Sequence, residues 1–188
     1  MRPYVTVVIA AATAGVYVWL ASRPDAVFDA TLQAWGARRG ASSPISFVAS
    51  PVVHASTTHL LVNLLLFLAF APPVEKRVKG WGLALVYVLS GAAGVAAHLA
   101  LAPGGATLIG ASGAIGGVLG AHLVKRPWGK ISIAAGGLWA AANLAGALLD
   151  RGGSTGISYL SHLGGLAAGA LIAALLPSSR PAKPRKGS

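Results

Sequence analysis

Six long apolar blocks dominate this sequence, and none of them contains an Asp, Glu, Lys or Arg. They run approximately over Pro3–Ala21, Val52–Ala71, Trp81–Ala102, Thr107–Val124, Ile131–Leu149 and Ile157–Leu176. Each has the length that crosses a hydrocarbon core of roughly 30 Å as a helix. Lipid offers no partner to open backbone donors and acceptors, so the helix is the form each block must take. The chain is 55% hydrophobic and 10% charged, whereas an average soluble domain carries about a quarter charged residues. That shortage excludes both a water-soluble globule and a disordered chain. The expected fold class is an all-α polytopic membrane protein: one six-helix domain over 1–176, then a basic tail over 177–188.

The first block is longer than a signal-peptide core and has only Arg2 as its flanking charge, so it is read as a retained helix. The connection Ser22–Ser50 carries Phe28, Trp35 and Phe47 among Gly, Pro and Ser, and is expected to lie in the membrane interface. The net charge of +11 would suggest nucleic acid in a soluble protein. Here the basic residues cluster between apolar blocks, which is the pattern of topology signals and lipid-headgroup contacts. Alternate loops hold eleven basic residues on one side and four on the other. That bias predicts a multi-pass protein with both termini in the cytoplasm, and the heavy Ala/Gly usage and compact six-helix form point to a bacterial plasma membrane. The chain has no cysteine, which removes disulfides, thiolate metal sites and thiol nucleophiles.

Polar groups inside the spans are expensive and are the first candidates for function. With no intramembrane carboxylate, neither a two-aspartate protease nor an HExxH zinc protease is possible. What remains is His59 and Asn63 early in the second span, Ser112 early in the fourth and His162 early in the sixth. All three spans start on the same side, and five residues of helix correspond to roughly 7–8 Å of depth. Topology alone therefore brings these four residues into one shallow layer. His59 and Asn63, spaced i and i+4, share a helix face, whereas His54 belongs to another. Gly113/Gly117 and Gly165/Gly169 are small-xxx-small steps that let two membrane helices approach closely.

Taken singly, each residue has a plainer reading. Ser112 serves as a small packing residue, and His59 and Asn63 as ties between helices. His98 is read as interfacial, His122 as lying at headgroup level, and Glu75 with Arg77 as a local ion pair or cap. Asn143 is an isolated intramembrane amide whose partner the sequence does not identify. The histidines lack an accompanying carboxylate or thiolate, so no metal and no other cofactor is expected.

Three ordered segments go further. They are His54-Ala-Ser-Thr-Thr-His59-Leu-Leu-Val-Asn63, Gly110-Ala-Ser112-Gly113, and His162-Leu-Gly-Gly165-Leu-Ala-Ala-Gly169. Together they resemble the H-x4-H-x3-N, GxSG and HxxGxxxG motifs of rhomboid intramembrane serine proteases. The resemblance spans about Val52–Leu176 and implies a six-helix rhomboid-like bundle without cofactor. It implies Ser112 as nucleophile and His162 as general base. His59, Asn63 and the Ser112 backbone N–H would form the oxyanion site. His54, Gly110 and Gly113 would line or support the site, and Gly117, Gly165 and Gly169 would pack helices. The implied partners are transmembrane protein substrates and membrane lipids, with no nucleic acid and no metal. Two departures stand out. Ile45 and Ser46 occupy the place of a Trp-Arg pair in the first loop, and Gly116 takes the place of an aromatic four residues after the nucleophile. The alternatives are a non-catalytic rhomboid-fold protein that binds or escorts membrane helices and, more remotely, a small transporter or channel.

Overall fold

The computed structural model describes residues 2–102, 105–151, 153 and 155–179. Arg180, Lys183, Arg185 and Lys186, which contribute to the charge bias, lie outside the described residues. The regular secondary structure of the described part is helical, apart from one isolated antiparallel bridge between Ala37 and Leu108. Among the described residues seven helices follow one another: α1 (Tyr4–Ala21), α2 (Asp25–Trp35), α3 (Ser46–Ala49), α4 (Thr57–Leu101), α5 (Ser112–Lys125), α6 (Lys130–Leu149) and α7 (Tyr159–Leu175).

The second and third apolar blocks are the two limbs of α4. Lys79 interrupts the helix with φ 66° and ψ 170°, a conformation in which the backbone leaves the helical path. The rings of Phe67 and Tyr87, one on each limb, lie with centroids 5.2 Å apart. On one straight helix residues so far apart in sequence would be about 30 Å apart, so the limbs fold back alongside each other. The first limb starts at Thr57 rather than Val52. Ser56 caps it by accepting a hydrogen bond from the His59 backbone N–H at 3.2 Å, which leaves His54 in the preceding turn.

Glu75 has a partner other than the expected Arg77. Its buried carboxylate accepts from the backbone N–H of Val5 at 3.0 Å, from that of Thr6 at 2.9 Å, and from the Thr6 hydroxyl at 2.6 Å. The first turn of α1 has no cap of its own, and a carboxylate from α4 satisfies its orphan donors and faces the positive end of its dipole.

The core gathers around α5. All ten residues from Gly113 to His122 are buried, with Ile115 and Val118 packed among Phe67, Val74, Leu83 and Val86 of the two α4 limbs. α5 has 14 residues, about 21 Å of helix, which falls short of a hydrocarbon core. Lys125 and Arg126 mark one end of it at the level of charged groups. The opposite end, which begins with Ser112, is therefore the recessed one.

Two further histidines, His122 near the charged end of α5 and His98 near the end of α4, are more buried than their sequence positions suggest. His122 is fully buried, its Nε2 donating to the Phe70 carbonyl at 2.7 Å and its Nδ1 facing the Ser132 hydroxyl at 3.3 Å. His98, also buried, donates from Nε2 to the Ala106 carbonyl at 3.2 Å and accepts from the Ser158 hydroxyl at 2.8 Å. Each ties a helix end to a neighbouring element. Within the connection 22–50, α2 and the short α3 provide helical structure, and Leu20, Leu32 and Val53 form a small cluster beneath it.

Candidate active site

Ser112 is the first residue of α5 rather than lying five residues within a helix. The preceding segment cannot continue the helix. Leu108 exchanges backbone hydrogen bonds with Ala37 at 2.7 and 2.9 Å, and Gly110 stands at φ +104°. That left-handed conformation suits glycine. Space imposes the same choice, because a Cβ on Gly110 would sit 2.6 Å from the His59 ring. The chain thus reaches the shallow layer as an extended segment and turns into helix at Ser112.

Starting a helix there has an electrostatic consequence. The Ser112 N–H has no hydrogen-bond partner among the described residues, and it points out of the positive end of the α5 dipole. His59 is near the start of α4 and His162 near the start of α7. Three helix N-termini therefore converge on one spot, which favours a developing negative charge there.

The serine hydroxyl meets the imidazole directly, with Ser112 Oγ 2.7 Å from His162 Nε2. Glycines permit this approach. A Cβ on Gly165 would meet the carbonyl of Gly113, one on Gly169 would meet the carbonyl of Gly117, and one on Gly116 would lie 2.6 Å from the His162 carbonyl oxygen. Gly117 also leaves room for Ser90 of α4. The backbones of α5 and α7 are in van der Waals contact along this seam, with Ser161 lodged between Gly94 and Gly113.

His59 lies beside this pair, half-buried, and its ring nitrogens have no hydrogen-bond partner among the described residues. The Asn63 amide, one turn further along α4, gives one N–H to the His59 carbonyl at 2.8 Å and retains a second. His54 packs edge-on against His59 with centroids 5.0 Å apart, and its Nε2 lies 3.4 Å from the Ala111 N–H, just before the serine. Its place is thus behind the site, buttressing His59 and the turn into α5.

Two residues of the site were not legible as members of it. Asn143 Oδ1 is 2.6 Å from His162 Nδ1, and Trp139 lies against the same imidazole with centroids 5.5 Å apart and planes at 36°. Both come from α6. Their i, i+4 spacing was the available signal, since it puts the ring and the amide on one helix face.

These groups open onto a cavity of ≈ 470 Å³ whose walls include Ser112, His162, His59, Asn63, Val62 and Trp139. No Asp, Glu, Lys or Arg lines it among the described residues. Its walls are mostly apolar. Among the described residues no group of three or more His, Cys, Asp or Glu is arranged to hold a metal ion.

Comparison with curated proteins finds none that matches this chain. The family model described as Rhomboid domain matches residues 41–179, a stretch that contains α3 to α7 and with them Ser112, His162, His59 and Asn63. A match over most of the chain shows that this protein belongs to the rhomboid family.

Proposed function

We propose that this chain is an intramembrane serine endopeptidase that cleaves transmembrane proteins near the outer face of the membrane. The observation that carries this reading is the 2.7 Å contact between the Ser112 hydroxyl and His162 Nε2 at the wall of an uncharged cavity. A serine hydroxyl is inert at neutral pH until a neighbouring base takes its proton. His162 takes that proton as Ser112 Oγ attacks the scissile carbonyl. The oxyanion receives hydrogen bonds from the Ser112 N–H, the His59 ring and the free N–H of Asn63, under the field of the α5 N-terminus. His162 then protonates the leaving amine, and water admitted at the shallow end of α5 hydrolyses the acyl-enzyme.

A helical substrate hides its carbonyls in its own hydrogen bonds, so the scissile segment must unwind to reach Ser112. Helix-breaking residues in the substrate near the cleavage point assist that step. The charge bias between loops supports both termini being cytoplasmic, which turns the recessed end of α5 outward.

The test is cleavage of a membrane-anchored reporter by purified protein in lipid vesicles. Ser112→Ala and His162→Ala each abolish cleavage at unchanged expression. Continued cleavage by Ser112→Ala ends the proposal. A wild-type protein that binds the reporter and leaves it intact would instead be the non-catalytic, helix-binding member.

A further inference from the structure

We infer that Asn143 is a positioning residue that completes a Ser112–His162–Asn143 relay by holding the base in its working tautomer; this rests on the proteolytic reading above. One group beside the base has a single possible hydrogen-bonding role. The Trp139 carbonyl can only accept a hydrogen bond, and it lies 2.8 Å from Asn143 Nδ2. The amide nitrogen is therefore fixed on that side, and its oxygen must be the atom that faces His162 Nδ1 at 2.6 Å. An amide oxygen also only accepts, so Nδ1 carries the hydrogen. A neutral imidazole has a single N–H, which leaves Nε2 bare and aimed at the Ser112 hydroxyl 2.7 Å away. Flipping the amide would set donor against the base and oxygen against oxygen at the Trp139 carbonyl. One backbone carbonyl of α6 thereby dictates, through two side chains, which nitrogen of His162 is free to take the serine proton.

The surroundings explain the choice of an amide. Asn143 is 6% exposed, and an unpaired carboxylate at such a place would carry a large desolvation cost. An amide supplies the same acceptor without charge. Among the described residues Ser112 from α5 and Asn143 and Trp139 from α6 touch the His162 ring, and His59 from α4 lines the same cavity. His59 is the titratable one among them, and no charged side chain lines the cavity among the described residues.

The experiment measures kcat, KM and the pH–rate profile for cleavage of a membrane-anchored reporter in vesicles, with wild type, Asn143→Ala, Asn143→Asp and Ser112→Ala side by side. Loss of the acceptor in Asn143→Ala lowers kcat by about 10- to 100-fold with KM within about twofold, because only the transition state loses support. Asn143→Asp keeps an acceptor in the same place. With its second oxygen turned away from the Trp139 carbonyl, it recovers to within about 10-fold of wild type, and the acidic limb of its profile moves to higher pH, because a carboxylate at Nδ1 favours the protonated base that cannot act. Asn143→Ala cleaving within about twofold of wild type would overturn the inference. So would Asn143→Asp as slow as Asn143→Ala with its acidic limb unmoved, which is the behaviour of an amide needed only for packing. Cleavage by Ser112→Ala in the same series would instead remove the serine-protease reading itself.

Discussion

The site is built from two parts of the molecule that are held in place very differently. Ser112 and His162 come from α5 and α7, whose glycine-lined backbones touch and whose seam has no space for a methyl group at Gly165 or Gly169. Asn143 and Trp139 come from α6, in which only Ser132, Gly136 and Asn143 are buried. Nothing lies within 4 Å of a Cβ placed on Gly137. The seam sets the distance between the Ser112 hydroxyl and the His162 imidazole, because two backbones in contact cannot be brought closer or slid apart without breaking van der Waals contacts. The loosely packed helix sets the orientation of the imidazole. Distance is thus built into the core, and orientation depends on a helix held by a few contacts.

Substitutions can break or sharpen that contrast. Gly165→Val has the largest expected effect. Its side chain would enter the space of the Gly113 carbonyl, so both cleavage and the cooperative thermal transition in detergent are expected to be lost. Glu75→Ala comes next. It removes the acceptor for three donors at the start of α1, at a cost of about 1–3 kcal/mol in unfolding free energy. Because Glu75 is remote from the cavity walls, the rate per folded molecule stays unchanged in a cleavage assay. Trp139→Ala leaves the seam intact and loosens the imidazole. A kcat about 3- to 10-fold lower with an unchanged melting temperature is expected, as for a single ring contact. Gly137→Ala is the smallest, within about 0.5 kcal/mol and about twofold in rate, since it meets open space. Equal damage from Gly137→Ala and Gly165→Val would erase the distinction between the two regions.

Local patterning made part of this legible from the residues alone. Uncharged blocks identified the membrane class, and counting turns from each block's start brought Ser112, His162, His59 and Asn63 to one depth. The glycine steps pointed to close approach of the spans that carry Ser112 and His162. What the sequence hid was fixed by contacts between distant segments. Ser112 starts its helix because Leu108 pairs with Ala37 and because Gly110 lies against His59, neither of which has a periodicity to detect. Glu75 reaches Val5 and Thr6 of another helix rather than its neighbour Arg77. His98 and His122 stand near helix ends, where a lipid-headgroup position is the simple expectation, yet each is buried against another element's backbone. Asn143 was visible as an isolated amide, but its partner depends on how α6 is rotated against α7. Gly116 read as a missing aromatic support. In the fold it leaves space for the His162 carbonyl, and the ring is braced from α6 instead.

The most direct test of the account is covalent labelling of the membrane-embedded protein by a fluorophosphonate, followed by peptide mass spectrometry. A single adduct is expected on Ser112 that forms readily in wild type, is absent in Ser112→Ala, and slows by at least about 100-fold in His162→Ala. Labelling of Ser112 at the same rate without His162, or no labelling of wild type at all, would contradict the claim that this imidazole activates this hydroxyl.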